Sequence, residues 1–218
     1  GDLTAGLFAL GAINAALYER ERTGLGRMID VSMLDSQIAI LENAVARYAV
    51  TGKPPGPLGA RHPSITPFEA YETQDGYLII AAGNNKLFTD LCSGLNRPDL
   101  ATDPRFLTNS DRAANVDALK TELETTLKTK PTAHWLNVLD AAGVPHGPIN
   151  NVEQALNDPQ VRARNMVVHM RDPDGPDLMM AGNPIKISGV ADPSTRPPAP
   201  KLDADRAKIL AELGLTDE

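Results

Sequence analysis

A single cysteine, Cys92, is all the thiol chemistry the sequence offers. That excludes a disulfide framework and fits a reducing cytoplasm. Cys92 reads as a small buried side chain before it reads as a nucleophile. No apolar run approaches the roughly 20 residues that span a bilayer, and no secretory leader pattern stands at the start; no membrane partner is expected. Basic residues are in the minority, 21 Lys and Arg against 28 Asp and Glu, for a net charge of -7. This balance argues against nucleic acid as a main partner. It leaves room for a small anionic ligand, which needs only a local positive site. There is no P-loop or dinucleotide-binding fingerprint, no nucleophile elbow for a serine triad and no repeat of fixed period. The histidines, His62, His134, His146 and His169, form no i, i+4 pair and have no cysteine partner, so no metal is expected. No initiator Met precedes what reads as a helix cap at position 2, which predicts a truncated chain.

The composition that remains is that of a soluble globular protein, long enough for one or two domains. The chain opens with Gly1-Asp2-Leu3-Thr4-Ala5-Gly6 and a helix to about Arg22. Asp2 is expected to cap it, because a carboxylate there can accept first-turn N–H groups. Leu3, Leu7, Leu10, Ile13 and Leu17 recur at helical spacing and predict one buried face, and Gly24 stops the helix. Residues 27–33 read as a short strand and 34–50 as a second helix, a piece of an α/β layer. Residues 51–59 hold three prolines and three glycines and read as a linker.

Residues 68–73 and 77–81 read as a β-hairpin around Asp75-Gly76. A helix from Lys86 to about Leu95 follows. Asp103-Pro104 and Ser110 read as later helix starts, with helices over 110–128 and 131–142. An extended Val144-Pro-His-Gly-Pro-Ile149, two short helices after Asn151 and Asp158, and strands at 166–170, 178–181 and 185–188 around Pro/Gly turns come next. Residues 191–200 form a second Pro-rich linker before a closing helix at 204–213. Two such linkers bracketing a middle block predict a discontinuous outer domain with a small domain inserted.

Two loops combine groups that can meet an anion. Leu58-Gly59-Ala-Arg61-His62 joins a glycine to cationic donors. Gly83-Asn84-Asn85-Lys86 puts amides and a lysine at a helix N-terminus, a natural anion site. Asp2, at another helix start, is the candidate for chemistry.

The string Gly1-Asp2-Leu-Thr-Ala-Gly6, with Thr23-Gly-Leu-Gly-Arg-Met-Ile-Asp-Val-Ser-Met33-Leu-Asp35, resembles the family III CoA-transferases, such as formyl-CoA transferase and carnitine CoA-transferase-like proteins. The resemblance continues through Gly59-Ala-Arg-His-Pro-Ser-Ile65, Asp75-Gly-Tyr77, Ala82-Gly-Asn-Asn85, Gly143-Val-Pro-His-Gly-Pro-Ile-Asn150, Arg196-Pro-Pro198 and Leu210-Ala-Glu-Leu-Gly214. It implies the C-terminal half of that fold: α/β with an α+β insert, a partial Rossmann-like large domain plus a small α+β domain. The boundaries are 1–50 for part of the large domain, 51–65 for linker and active-site loop, 66–190 for the small domain, and 191–218 returning to the large one.

The resemblance also implies the activity. Coenzyme A passes between an acyl-CoA and a small carboxylic acid through an aspartyl-CoA thioester on Asp2, a form of covalent catalysis; a helix N-terminus favours the negative charge this needs. Gly59, Arg61, His62, Asn84 and Asn85 become substrate-binding residues. The 58–62 loop is not glycine-rich and is similar to branches that use dicarboxylate donors such as succinyl-CoA, with Arg61 or His62 holding the second carboxylate. No permanently bound cofactor is implied, only CoA and acyl-CoA as substrates. The full-length protein is expected to be an interlocked homodimer, and this chain alone to expose apolar surface on its first helix and to be weakly active or inactive. Two alternatives stay open. One is an α-methylacyl-CoA racemase-like enzyme, weakened because Asn85 stands where that branch has a glutamate. The other is an inactive truncated product serving only as an interaction piece.

Overall fold

A computed structural model describes residues 1–171 and 175–215. The chain divides into two compact units, Gly1–Pro63 and Ser64–Glu218, each built from its own elements.

The first unit is helical. α1 (Asp2–Thr23) stops at Gly24, whose φ of 73° and N–H bond to the Arg20 carbonyl make a left-handed cap. Residues 25–32 then run without a ladder. The expected strand does not form because, among the described residues, this unit offers no second strand to take its N–H and C=O groups. Arg27 instead forks onto Glu19 of α1 at 2.6 and 3.2 Å. The expected single helix over 34–50 is two, α2 (Met33–Ala39) and α3 (Glu42–Thr51). The ladder tightens between them, where the Leu41 N–H bonds to the Ile38 carbonyl at 3.1 Å. Ser32 caps α2 by accepting the Asp35 N–H.

The face of α1 read as buried is open. Leu3, Leu7, Leu10, Ile13 and Leu17 are all exposed, Leu3 at 86%. The periodicity is real, but the three helices of this unit do not cover it. Exposed apolar surface on the first helix is what the family resemblance implied for this length of chain.

The second unit carries the core. β1 (Phe68–Glu72) and β2 (Tyr77–Ala81) form the expected hairpin, paired from Phe68 with Ala81 to Glu72 with Tyr77. β3 (His146–Pro148) adds to β2, with Ile80 opposite His146. Against this sheet pack α7 (Val116–Leu127) and α8 (Thr132–Ala141), and α4 (Asn85–Gly94) packs on α8. Their apolar stripes meet Tyr71, Leu78 and Ile80 in a core holding Phe88, Leu91, Leu123, Leu139 and Trp135.

The connecting helices depart from the expected pattern. α5 (Pro98–Thr102) precedes Asp103-Pro104. Asp103 makes a turn instead, accepting the Arg105 N–H at 2.8 Å. The helix expected over 110–128 is α6 (Asn109–Ala114) followed by α7, opened one residue early by a Thr108–Asp111 capping box. It breaks at Asn115, whose side-chain amide donates to the Asp111 and Arg105 carbonyls and competes with the helical ladder.

Beyond β3, α9 (Val152–Asn157) and α10 (Pro159–Ala163) start on side-chain caps from Asn151 and Asp158. β4 (Val167–Met170) is central in a second sheet, with β5 (Leu178–Ala181) antiparallel on one side and β6 (Thr195–Arg196) parallel on the other. β6 lies in the stretch read as Pro-rich linker, while 185–188, read as a strand, has no ladder. The 191–196 segment is held by the Ser194 carbonyl on the His169 N–H (2.9 Å) and the Asp192 carbonyl on Asn165 (2.8 Å). Pro197 and Pro198 keep it short. The turn expected between β4 and β5 falls partly on 172–174, and the last residues of the 191–218 block on 216–218, outside the described residues. α11 (Arg206–Glu212) closes the chain.

One clamp gives a pH test. Asp75, in the hairpin turn, accepts the Thr132 N–H at 2.7 Å and the Thr132 hydroxyl at 2.8 Å. The Thr132 backbone bond, then its hydroxyl, holds the Asp75 carboxyl below its usual range. A carboxyl depressed on folding contributes stability above its unfolded value, about 3.9, and loses it as pH falls through the lower folded value. Thermal midpoints measured downward from pH 5 should therefore fall more steeply for the parent than for Asp75→Asn. Parallel curves would refute the assignment.

Candidate functional site

Asp2, Gly59, Arg61 and His62 belong to the first unit; Asn84 and Asn85 belong to the second. Asp2 does not cap α1. Gly1 holds the cap position, its carbonyl taking the Ala5 N–H at 2.9 Å, and no side-chain cap bond forms. One residue into the helix, Asp2 already has helical backbone angles, so it does not fold back on the first N–H groups as a cap does. Its carboxylate is exposed in the first turn, beside unpaired N–H groups and the positive end of the helix. That leaves an accessible carboxylate rather than a structural cap. A cleft of about 220 Å³ elsewhere in this unit is lined by Phe8, Asp30, Val31, Ser32, Asp35 and Ser36 and does not include Asp2.

Gly59 makes the turn that presents Arg61. Its φ is 62°, and the Arg61 N–H closes on the Leu58 carbonyl at 3.3 Å. Glycine takes this left-handed conformation without strain. Arg61 and His62 follow, both half-buried.

In the second unit, Asn84 and Asn85 sit together at the start of α4, on exposed backbone. Asn84 is the N-cap, its Oδ1 accepting the Leu87 N–H at 2.9 Å. Asn85 Oδ1 accepts from Arg112 Nη2 at 3.1 Å. Lys86 is turned to solvent in a 2.6 Å pair with Asp90, a surface contact of small energetic weight. The loop leaves β2 at the end of the sheet where β1 enters, the Ala82 N–H bonding the Pro67 carbonyl at 2.9 Å. First-turn N–H groups, two amide side chains and the guanidinium behind them make this end of the unit favourable to an anionic oxygen.

Arg112 is the residue that sequence reading missed. It is fully buried, and arginine is by default a surface residue, so a single sequence carries no signal for it. Cys92 is also fully buried. Burial, then the charge of Asp99, pushes its thiol up to about 12, so it is no nucleophile. His134 is exposed, edge-on to Trp135 at 4.9 Å. Among the described residues no group of three or more His, Cys, Asp or Glu could hold a metal ion, and no helix is long and apolar enough to cross a membrane.

Comparison with known proteins agrees with these motifs. The profile of CoA-transferase family III matches residues 1–206. The chain is 49% identical over 211 residues to acetyl-CoA:oxalate CoA-transferase of Acetobacter aceti, covering 97% of this chain and 53% of the relative. It is 35% identical over 212 residues to the Homo sapiens succinyl-CoA:glutarate CoA-transferase, covering 97% and 48%. Among solved structures, a CaiB/BaiF family protein from Brucella suis superposes with a TM-score of 0.78 at 40% identity, over 96% of this chain and 54% of that one. The chain thus spans about half the length of the curated relatives it matches. Its mixed α/β architecture with small sheets is that of part of their fold, and the chain belongs to CoA-transferase family III.

Proposed function

We propose that the full-length protein transfers coenzyme A between an acyl-CoA and a small carboxylic acid, with a short dicarboxylate on at least one side. The observation that carries this is the family match over 1–206. It is joined by relatives whose names give oxalate, glutarate and mesaconate as acceptors. All three are dicarboxylates, and Arg61, with His62 beside it, supplies a cationic donor for a second carboxylate.

The proposed chemistry needs no energy input, because one thioester replaces another. An Asp2 carboxylate oxygen attacks the thioester carbon. The C–S bond breaks, leaving CoA thiolate and a mixed anhydride on Asp2. The thiolate then attacks the Asp2 carbonyl carbon, which releases the donor acid as its carboxylate and leaves an aspartyl-CoA thioester. The acceptor carboxylate repeats the sequence in reverse, restoring Asp2 and forming the new acyl-CoA. The exposed place of Asp2 at the α1 N-terminus supports its role as nucleophile. Asn84 and Asn85, with the α4 N-terminus, would bind the acyl-CoA, and Gly59 would shape the loop that presents Arg61. Asn85 is an amide acceptor for Arg112 and has no carboxylate to move a proton, which weighs against the racemase reading.

The same reading assigns residues 1–50 and 191–218 to a large domain and 66–190 to a small one, joined through 51–65. It makes the full-length protein an interlocked homodimer; the open apolar row of α1 supports that. The single cysteine fits a reducing cytoplasm. The test is a panel in which acetyl-CoA and succinyl-CoA are each offered oxalate, glutarate, mesaconate and acetate. Mass spectrometry should find new CoA esters of the dicarboxylates. Thioester hydrolysis without any new ester would refute the reading, as would exchange confined to the α-carbon proton.

A further inference from the structure

α6 grips both segments at the mouth of the second unit's loop. Asn109 and Arg112 are three residues apart and share one helix face. Asn109 accepts the Thr66 N–H at 3.0 Å and donates to the Ser64 carbonyl at 2.8 Å. Arg112, with no exposed surface, donates Nε to the Thr66 carbonyl at 2.7 Å, Nη1 to the Phe106 carbonyl at 3.0 Å and Nη2 to Asn85 Oδ1 at 3.1 Å. The guanidinium lies 4.6 Å from the centre of the Phe88 ring. Every oxygen it bonds is neutral. Desolvating a cation on carbonyl and amide oxygens alone is costly, so the arrangement is an expensive way to fill a core. What it achieves is a planar fork that spans two chain segments, with a positive charge behind them that bonds neutral oxygens and has the Asp111 carboxylate nearby. Lysine, a point charge on a flexible stem, could not bridge them in the same way.

We infer that Arg112 is the positioning residue of the Asn84–Asn85 loop: by bonding Asn85 and the Thr66 carbonyl together, it holds segments 64–67 and 83–85 in one geometry and keeps positive charge behind the place where an acyl-CoA oxygen binds. This rests on Asn84 and Asn85 being substrate-binding residues. Arg112 acts through Asn85 and does not touch the reacting atoms.

Hydrogen exchange in the 218-residue chain reads the positioning by itself, and KM in the full-length enzyme reads its use. Arg112→Lys should speed exchange of the Ala82 and Leu87 amides about tenfold, while Leu119 and Leu123 keep their protection. Asn85→Ala leaves Arg112 and the core in place and should loosen the same two amides, which covers the case in which Arg112→Lys folds poorly. In the enzyme each variant should raise KM for acyl-CoA about tenfold with kcat nearly unchanged, and the double variant should be no worse than the stronger single one. Unchanged exchange at Ala82 and Leu87 overturns the inference. So does acceleration spread evenly over the core, or a double variant whose KM effect is the product of the two. An Asn85→Ala enzyme with parental KM sinks the binding role of the loop instead, and the exchange result then still decides whether Arg112 holds it.

Discussion

Asp2→Asn in the full-length enzyme is expected to lose at least about a thousandfold in kcat, with little change in KM for acyl-CoA. In the proposed mechanism Asp2 forms two successive covalent bonds, and its amide can form neither. A thousandfold corresponds to about 4 kcal/mol of barrier, a modest figure for removing a covalent nucleophile. Its side chain is exposed and makes no cap bond. The substitution should therefore leave folding intact, and the loss can be read as chemistry. Asp2→Glu sharpens the test. It keeps the charge but displaces the carboxylate by one methylene, and a misplacement of about 1 Å can cost a hundredfold. If charge near the helix end were all that mattered, Asp2→Glu would be nearly as active as the parent. If Asp2 only supported the helix, Asp2→Asn would keep its kcat.

The largest expected effect on stability lies in the second sheet. A Cβ added at Gly182 would sit on the Asn165 carbonyl oxygen and 2.8 Å from Met166 Cα. Both are backbone atoms of the turn that feeds β4, and the Gly182 N–H is bonded to the Met166 carbonyl at 2.9 Å. No flexible side chain is there to move aside. Gly182→Ala must separate the start of β4 from the end of β5, and should destabilise the second unit by about 3 kcal/mol, at the upper end for overpacking. Gly147→Ala is the control, because a Cβ there meets nothing within 4 Å; it should stay within about 0.5 kcal/mol. Urea midpoints of the two variants measure the difference. Equal midpoints would mean that the β4–β5 corner yields freely.

What the sequence revealed, and what it hid, follows from the range of the interactions. The hairpin was legible because Asp75-Gly76 sits between two apolar-alternating runs and local turn chemistry decides the register. α1, α8 and the helix starts at Asn151 and Asp158 were legible for the same reason, while α4 begins at Asn85, one residue before the expected Lys86, with Asn84 as its cap. The break at Asn115 was not, because it depends on an amide reaching back to Arg105, ten residues away. β6 was hidden in a Pro-rich stretch, since its pairing is fixed by β4 some 26 residues earlier. The strand read at 27–33 shows the converse: β-branched composition was present but no neighbour was. Among the candidate residues, the types of Asp2, Arg61, Asn84 and Asn85 stood out by motif. Arg112 did not, because nothing local distinguishes a buried arginine from a solvated one.

The most direct test of the whole account is a covalent trap. The full-length protein is incubated with succinyl-CoA and hydroxylamine, digested, and the peptide that contains Asp2 is weighed. The account predicts a hydroxamate on Asp2, formed only when acyl-CoA is present and absent from Asp2→Asn. An Asp2 peptide of unchanged mass in a protein that binds CoA, after acetyl-CoA has also been tried, would contradict the aspartyl-CoA route and leave Asp2 as no more than the first residue of a helix.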